Sequence, residues 1–450
     1  MELILVAVWG WWTWRDPRRA LAVFPFLLPT YVLRTTIGPF PTTALELLLI
    51  ATLIGWYLRR GQAGLKDAWL AGEPWRIPVA LWLLAGLLGV FVSPVKLQAL
   101  GLFRAYFIEP LLLFFIGLDL IQLKLEKRNA EVESRPAVNL PSSNLQSSLT
   151  RSFALITVIL GAWSVVQFLT GWGIPNPWDV WPGRRATGPY PFPNALALFV
   201  APLVALAGAE RIADLAARRA APSQVRMLGW LAVAFGLTAV LLAQSDGGLL
   251  AIAVSILVAL CMHRRTRRAA IGLAIAGLTL VYLIQPLRTH IEDKLFFKEW
   301  SGQVRTVIWQ ETVAMLRDTS TKLGLARPLL GAGLAAYRTA ILPYHQATWM
   351  EVFQYPHNIL LNLWSETGLL GLVAFAWILI VWIKTGRLRS DRTGSCDVII
   401  PVIAAILVHG LVDVPYFKND LAVAFWLLIL TTSLPPYLKT PFQTHRFSGS

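Results

Sequence analysis

Arg184, Arg185 and Arg305, the imidazole of His357 and the carboxyls of Glu366 and Asp413 are the side chains through which this largely apolar chain can do chemistry. A guanidinium offers a planar fork of donors that fits phosphate oxygens. An imidazole takes up a proton near neutral pH, as a general base must. Together the set can bind an anion and accept a proton. Each member also has a plainer explanation. Arg184 and Arg185 share the segment 171–193 with one acid, Asp179, and an arginine pair binding lipid headgroups would look the same. Arg305 precedes Trp309 by four residues on one helix face, so it can also be a solvated arginine stacked on its own tryptophan. His357 stands between Pro356 and Asn358, with His345 nearby as a rival base. Glu366 falls nine residues later inside an apolar run, where an acid is costly and has either a task or a helix-packing hydrogen bond beside Gly368 and Gly371. His409 and Asp413, four apart, share a helix face and read as an architectural pair.

The elements that must position these residues are membrane helices. Of 450 residues, 56% are hydrophobic and only 14% charged, which excludes an ordinary soluble domain. The net charge of +15 would suit nucleic acid, but the basic residues sit in short loops between apolar runs. Cys261 and Cys396 both fall beside basic loops, which argues against a disulfide framework, and no cysteine metal site is visible. Twelve apolar runs are expected to span: Ala20–Ile37, Thr42–Leu58, Ile77–Val92, Leu97–Ile121, Phe153–Thr170, Asn194–Gly208, Met227–Ala243, Leu249–Met262, Ala269–Gln285, Ile359–Ile383, Val398–Val412 and Leu421–Leu434. Residues 1–14 form a short apolar stub, below the roughly 20 residues a crossing requires. The fold class is thus an all-α polytopic membrane protein. Lys124 to Ser152 is polar and Ser/Asn/Gln-rich at its end, so a flexible loop is expected. Glu210–Arg226 is expected to be a short surface helix.

Every second loop is basic, which places Arg15–Arg19, Arg59–Arg76, 124–152, 210–226, 264–268 and 384–392 in the cytoplasm. The intervening loops are charge-poor or balanced and face out. The largest, Pro286–Tyr355, carries eight basic and six acidic residues. Three regions follow: 1–285, transmembrane helices with the arginine loop 171–193; 286–357, a large extracytoplasmic loop; and 358–450, C-terminal transmembrane helices with a short cytoplasmic tail.

Four patches carry a family resemblance. They are Arg305-Thr-Val-Ile-Trp309, Pro328-Leu-Leu-Gly-Ala-Gly333, His357-Asn358 followed by Glu366-Thr-Gly-Leu-Leu-Gly371, and Arg185-Ala-Thr-Gly-Pro-Tyr-Pro-Phe-Pro-Asn194. In this order and spacing the second half of the chain resembles the O-antigen ligase and polysaccharide polymerase superfamily of bacterial envelope enzymes. The resemblance implies a glycosyltransferase of lipopolysaccharide or other polysaccharide biosynthesis in the bacterial cytoplasmic (inner) membrane, with its active site facing the periplasm. Its donor would be a glycan on undecaprenyl diphosphate, and its acceptor a hydroxyl on a lipid, a protein or a second glycan. Arg185 and Arg305, with Arg184 beside them, would hold the diphosphate, and His357 would deprotonate the acceptor. Asn358, Glu366, His409 and Asp413 would support them. Where many relatives have Ser-Arg-Gly, this chain has Ser245-Asp246-Gly247-Gly248, so no binding role is carried to that turn.

No P-loop, no dinucleotide fingerprint and no His/Cys ligand set is present, and the first outer loop is only Pro39-Phe-Pro41, without paired acids. No cofactor, no metal and no nucleic-acid partner is therefore expected, and the reaction is read as metal-independent and inverting. Ligase and polymerase differ in the acceptor groove and both stay open. A transporter or lipid flippase is the rival from another class; no internal repeat supports it, and the polar residues gather outside the bilayer. The basic-loop pattern gives a first prediction. With Cys261 and Cys396 replaced, a cysteine at Ser301 should react with an impermeant maleimide on intact cells and one at Ser142 should not; the opposite pattern would invert the orientation.

Overall fold

The computed structural model describes residues 2–37, 40–134, 145–218, 222–320, 323–347, 349–393 and 398–432. Ser142, Cys396, Lys322 and the basic tail with Lys439 and Arg446 lie outside the described residues. Among the described residues, seven helices are long and apolar enough to cross a membrane: Glu73–Val92, Lys96–Gln122, Leu145–Thr170, Pro193–Ala217, Ser223–Leu242, Arg264–Leu283 and Ile359–Arg387. Three shorter apolar helices, Asp246–Met262, Ile399–Gly410 and Asn419–Thr432, accompany them. These ten account for ten of the twelve expected runs. The chain is a helical multi-pass membrane protein, and the count of twelve is not reproduced.

The two remaining runs show why. Ala20–Ile37 is not one helix: it is a helix at Pro17–Val23, a 3-10 segment at Phe24–Val32 and a strand, Arg34–Ile37, paired antiparallel with Phe40–Thr43. Pro25 and Pro29 each lack an amide donor, and tighter 3-10 turns accommodate them. Thr42–Leu58 begins with a capping box between Thr43 and Glu46 and continues as Ala44–Ala71, broken at Gly61 where φ is +55°. The stub forms a helix, Glu2–Arg15, whose Trp9 indole donates to the Thr52 hydroxyl at 2.8 Å.

Two polar segments also differ from expectation. Glu210–Arg226 is not a separate surface helix, because Pro193–Ala217 runs straight through Glu210. Arg211 stays in that helix by pairing with Asp214 at 3.0 Å and lying where Gly229 leaves room; a Cβ there would sit 2.8 Å from its Cδ. Helix also enters both ends of the expected loop 124–152, up to Ser134 and again from Leu145.

The large insert is helical, with Gln285–Leu295, Trp300–Arg317, Arg327–Leu330 and Tyr337–Ile341. It has a small core of its own in which Ile308, Met315, Leu316 and Tyr337 are buried. It is held to the bundle by the Gly331-Ala332-Gly333 turn. The Ile359–Thr393 helix breaks at Gly368, where φ is +67°, so the Ser365 carbonyl is released from the helical ladder. That carbonyl accepts the Ala332 and Gly333 amides at 2.7 and 3.1 Å. On the other side Leu334 N–H donates to Gly89 O of the Glu73–Val92 segment at 3.0 Å. Trp364 adds a bond from its indole to Pro328 O at 2.6 Å. The proline-glycine and Glu-x-Gly patches are thus the two halves of one joint.

Gly333 sits at φ +99°, and a Cβ there would lie 2.5 Å from Ser93 N. Gly333→Ala should therefore cost stability by about 2 kcal/mol or more, read as a lowered unfolding midpoint of the detergent-solubilised protein. Gly101→Ala, in a helix with nothing within 4 Å, should be neutral or stabilising. Equal behaviour of the two would show that the joint is not under this constraint.

Candidate active site

The site is built on one short turn, Leu411-Val412-Asp413, at the C-terminal end of the Ile399–Gly410 helix. A helix end leaves carbonyls without intrahelical partners. Here three side chains from two distant segments meet that end. Arg305 Nε donates to Val412 O at 3.1 Å. Asn358 Nδ2 donates to Leu411 O at 3.0 Å. His357 Nδ1 lies 3.2 Å from Asp413 Oδ1. A carboxylate can only accept, so Nδ1 carries the proton and Nε2 is left as the basic nitrogen. Burial would raise the Asp413 pKa, but the hydrogen bond from His357 and the charges of His357, His409 and Lys418 outweigh it and hold the carboxyl well below its ordinary range.

His357 is held tightly. Its backbone sits at φ +48°, uncommon for a residue with a Cβ. Its ring is edge-on to Phe353 and Tyr355 at 5.3 and 5.2 Å. The side chain is still 25% exposed, and Nε2 has no hydrogen-bond partner among the described residues. Asn358 caps the following helix, its Oδ1 accepting Leu360 and Leu361 amides at 3.0 and 3.1 Å. The rival His345 has both nitrogens engaged, Nδ1 with Glu311 at 3.1 Å and Nε2 with Met350 O at 3.2 Å.

Arg305 does not stack on Trp309. The indole instead donates to Pro356 O at 2.9 Å, fixing the backbone just before His357. Beyond Val412, Arg305 reaches Ser301, with Nη1 3.2 Å from its hydroxyl, and Nη2 makes no hydrogen bond among the described residues.

Arg185 hangs on a second turn, 243–245. Its Nε donates to Ala243 O at 2.9 Å, its Nη2 to Gln244 O at 3.2 Å and Asn194 Oδ1 at 3.3 Å, and Trp178 lies 5.0 Å beneath the guanidinium. Burial lowers its pKa while the Asp246 charge opposes the shift. The 411–413 turn packs on the start of the helix that follows 243–245: a Cβ on Gly247 would lie 2.6 Å from Val412 Cγ2 and 3.1 Å from His409 Cδ2. Arg305 and His357 thus meet at the 411–413 turn, and Arg185 is held two residues before the helix that packs on it. Arg184 points elsewhere. It donates to the carbonyls of Asp179 at 3.1 Å and Phe168 at 3.0 Å, closing the end of the Leu145–Thr170 helix.

The expected His409–Asp413 pair is not formed side chain to side chain. Asp413 serves His357, and His409 is buried against Gly247 and Gly248 with no partner on Nδ1 among the described residues. Helical spacing pointed to the wrong histidine because the chain leaves the helix after Gly410. Glu366 lies in the joint, its Oε2 accepting the Ala335 amide at 2.7 Å. Sequence reasoning missed Lys294, which pairs with Asp246 at 2.7 Å and also with Glu299. A net-balanced insert gave no signal for it.

Residues 231–376, about a third of the chain, match the family model for O-antigen ligase. The match covers the insert, Arg305, Trp309, the glycine turn, His357, Asn358 and Glu366, while Arg184, Arg185, His409 and Asp413 fall outside it. No curated protein matches the chain. With the apolar helices, this supports an O-antigen ligase/polymerase-like membrane protein, as the motifs implied.

Asp413 should matter more than its distance in sequence suggests. Asp413→Asn keeps the shape but removes the acceptor that fixes the imidazole tautomer, and activity should fall at least about 100-fold. A carboxyl with a lowered folded pKa stabilises the fold above its unfolded value, about 3.9, and that contribution is lost as pH falls through the folded value. The wild-type unfolding midpoint should thus drop more steeply on acidification below about pH 4 than that of Asp413→Asn. Parallel curves would mean that Asp413 is not paired as described.

Proposed function

We propose, taking the O-antigen ligase-like segment as premise, that the protein transfers a glycan from undecaprenyl diphosphate to an acceptor hydroxyl at the outer face of the bacterial cytoplasmic membrane. The observation that carries this reading is the convergence of Arg305 and His357 on the 411–413 turn, with Arg185 on the adjoining turn. An imidazole oriented by a carboxylate is suited to take a proton from a hydroxyl. The hydroxyl oxygen then attacks the anomeric carbon, the bond to the lipid diphosphate breaks, and its electron pair stays on the departing phosphate. Direct displacement inverts the anomeric centre. Negative charge grows on the diphosphate as it leaves, and the free donors of Arg185 and Arg305 can meet it; each well-placed donor of this kind is worth roughly 3 kcal/mol of barrier. Arg184, whose side chain closes the far end of the loop on the Leu145–Thr170 helix, is read as a scaffold for that loop.

His357 accepts the proton in this scheme. Glu366 stays in the joint, and Asn358 acts by tethering the helix that follows His357. The arginines take the part that a divalent cation plays in other transferases, which is the reason to expect no metal requirement. An acceptor on lipid, protein or a second glycan is compatible with the same chemistry.

The experiment is transfer and donor binding in proteoliposomes. His357→Ala should lower turnover by about 10² to 10⁴ with donor binding nearly intact. Arg185→Ala and Arg305→Ala should weaken both, and lysine at either position should restore only part, since it keeps the charge and loses the fork. His345→Ala should be mild, and EDTA should leave the rate unchanged. A fully active His357→Ala enzyme, or loss on chelation with recovery on Mg²⁺, would overturn the corresponding role.

A further inference from the structure

A cleft of about 530 Å³, within the range typical of small-molecule sites, reaches Tyr355, whose ring lies 5.2 Å from that of His357. It lies between the Lys96–Phe103 segment, the insert and the helix after His357. Tyr355, whose ring packs on His357, forms one wall, and Tyr106 forms another. Gln98 and Arg338 are exposed at the mouth, while Asn362 and Glu366 lie at the floor. Asn362 is 1% exposed, yet neither its Oδ1 nor its Nδ2 has a hydrogen-bond partner among the described residues. A buried amide left so is costly, roughly 1–3 kcal/mol, unless something polar meets it. An amide presents an acceptor and two donors side by side, the complement of neighbouring hydroxyls.

We infer that this cleft binds the carbohydrate end of the acceptor, with Asn362 reading its hydroxyls. The inference rests on the transferase reading above. The cleft has one arginine at its rim and no second cation among its lining residues, so it lacks a clamp for diphosphate. The Arg305 bond and the Asp413 contact lie at the 411–413 turn, none of whose residues lines the cleft, and the cleft begins at Tyr355. An incoming hydroxyl must approach opposite the leaving group, and a cleft without a diphosphate clamp that reaches the aromatic neighbour of His357 suits that part. Aromatic walls with amides between them suit a sugar ring, whose faces are apolar and whose rim is polar.

The test is binding to the purified full-length protein in detergent, followed by saturation-transfer NMR. The probes are oligosaccharides released by mild acid from the producing cell's envelope and, separately, inorganic diphosphate. Oligosaccharide should bind and should persist when diphosphate is added. Asn362→Leu should weaken it about tenfold, the loss of one hydrogen-bonded amide. Arg338→Ala and Gln98→Ala, at the exposed mouth, should each weaken it without altering the unfolding midpoint, which keeps the test valid if the buried variant misfolds. Diphosphate binding should be lost in Arg305→Ala and unchanged in Asn362→Leu. Oligosaccharide that fails to bind, that binds all variants equally, or that diphosphate displaces would overturn the cleft assignment while the transferase reading stands. Diphosphate that binds neither wild type nor the cleft variants would instead overturn the transferase reading.

Discussion

The contact of the 411–413 turn with Gly247, at the start of the helix that follows the 243–245 turn, is the constraint on which the site depends. The 411–413 turn presses on Gly247, and the space is so small that a Cβ would collide with Val412. One turn collects Arg305, Asn358 and His357; the other holds Arg185 through the Ala243 and Gln244 carbonyls. Neither turn carries the chemistry itself. Their contribution is backbone oxygens at fixed positions, which helix ends supply in an apolar surrounding, together with the Asp413 carboxylate that meets His357. Asp246 sits at the same junction, where Lys294 of the insert pairs with it.

The second requirement is that the insert be rigid relative to the bundle. A loop of this length tied only at its ends would carry Arg305 anywhere. The break at Gly368 solves this by exposing a helical carbonyl, and the 331–333 turn docks on it from one side and on Gly89 from the other. A backbone-to-backbone joint is well suited to a membrane, where an unsatisfied carbonyl costs several kcal/mol. Glu366 completes the joint and faces the cleft at once, so the same helix positions the base and forms the floor of the neighbouring site.

Polar groups deeper in the bundle follow the same rule of pairing. Arg104 bridges Glu46, which also accepts Asn419 Nδ2 at 3.0 Å, and Glu109 at 3.1 Å. Arg60 pairs with Asp119 and Asp67, both at 2.7 Å. Removing one member of such a set would leave a charge uncompensated, which is costlier than never having placed it there. These sets fasten helices far apart in sequence and need have no part in the reaction.

The sequence by itself determined the class of molecule, since hydrophobic runs and sparse charge can be satisfied only by membrane helices, and it singled out Arg185, Arg305 and His357 as side chains with chemistry to do. It located the glycine patches because left-handed backbone and close approach favour that residue, and residues 231–376 carry the corresponding family likeness. Only the tertiary structure decided which residues meet. Asp413 lies 56 positions from His357 and was paired with His409 by helical spacing, but the helix ends at Gly410 and turns the carboxylate toward a different imidazole. Arg184 and Arg185 are identical in type and adjacent in sequence; one closes the end of the Leu145–Thr170 helix, the other is held by the 243–245 turn. The length of Ala20–Ile37 read as a span, and its two prolines divided it. Composition and period are local properties, whereas pairing depends on where backbone segments end, and an apolar run does not record that.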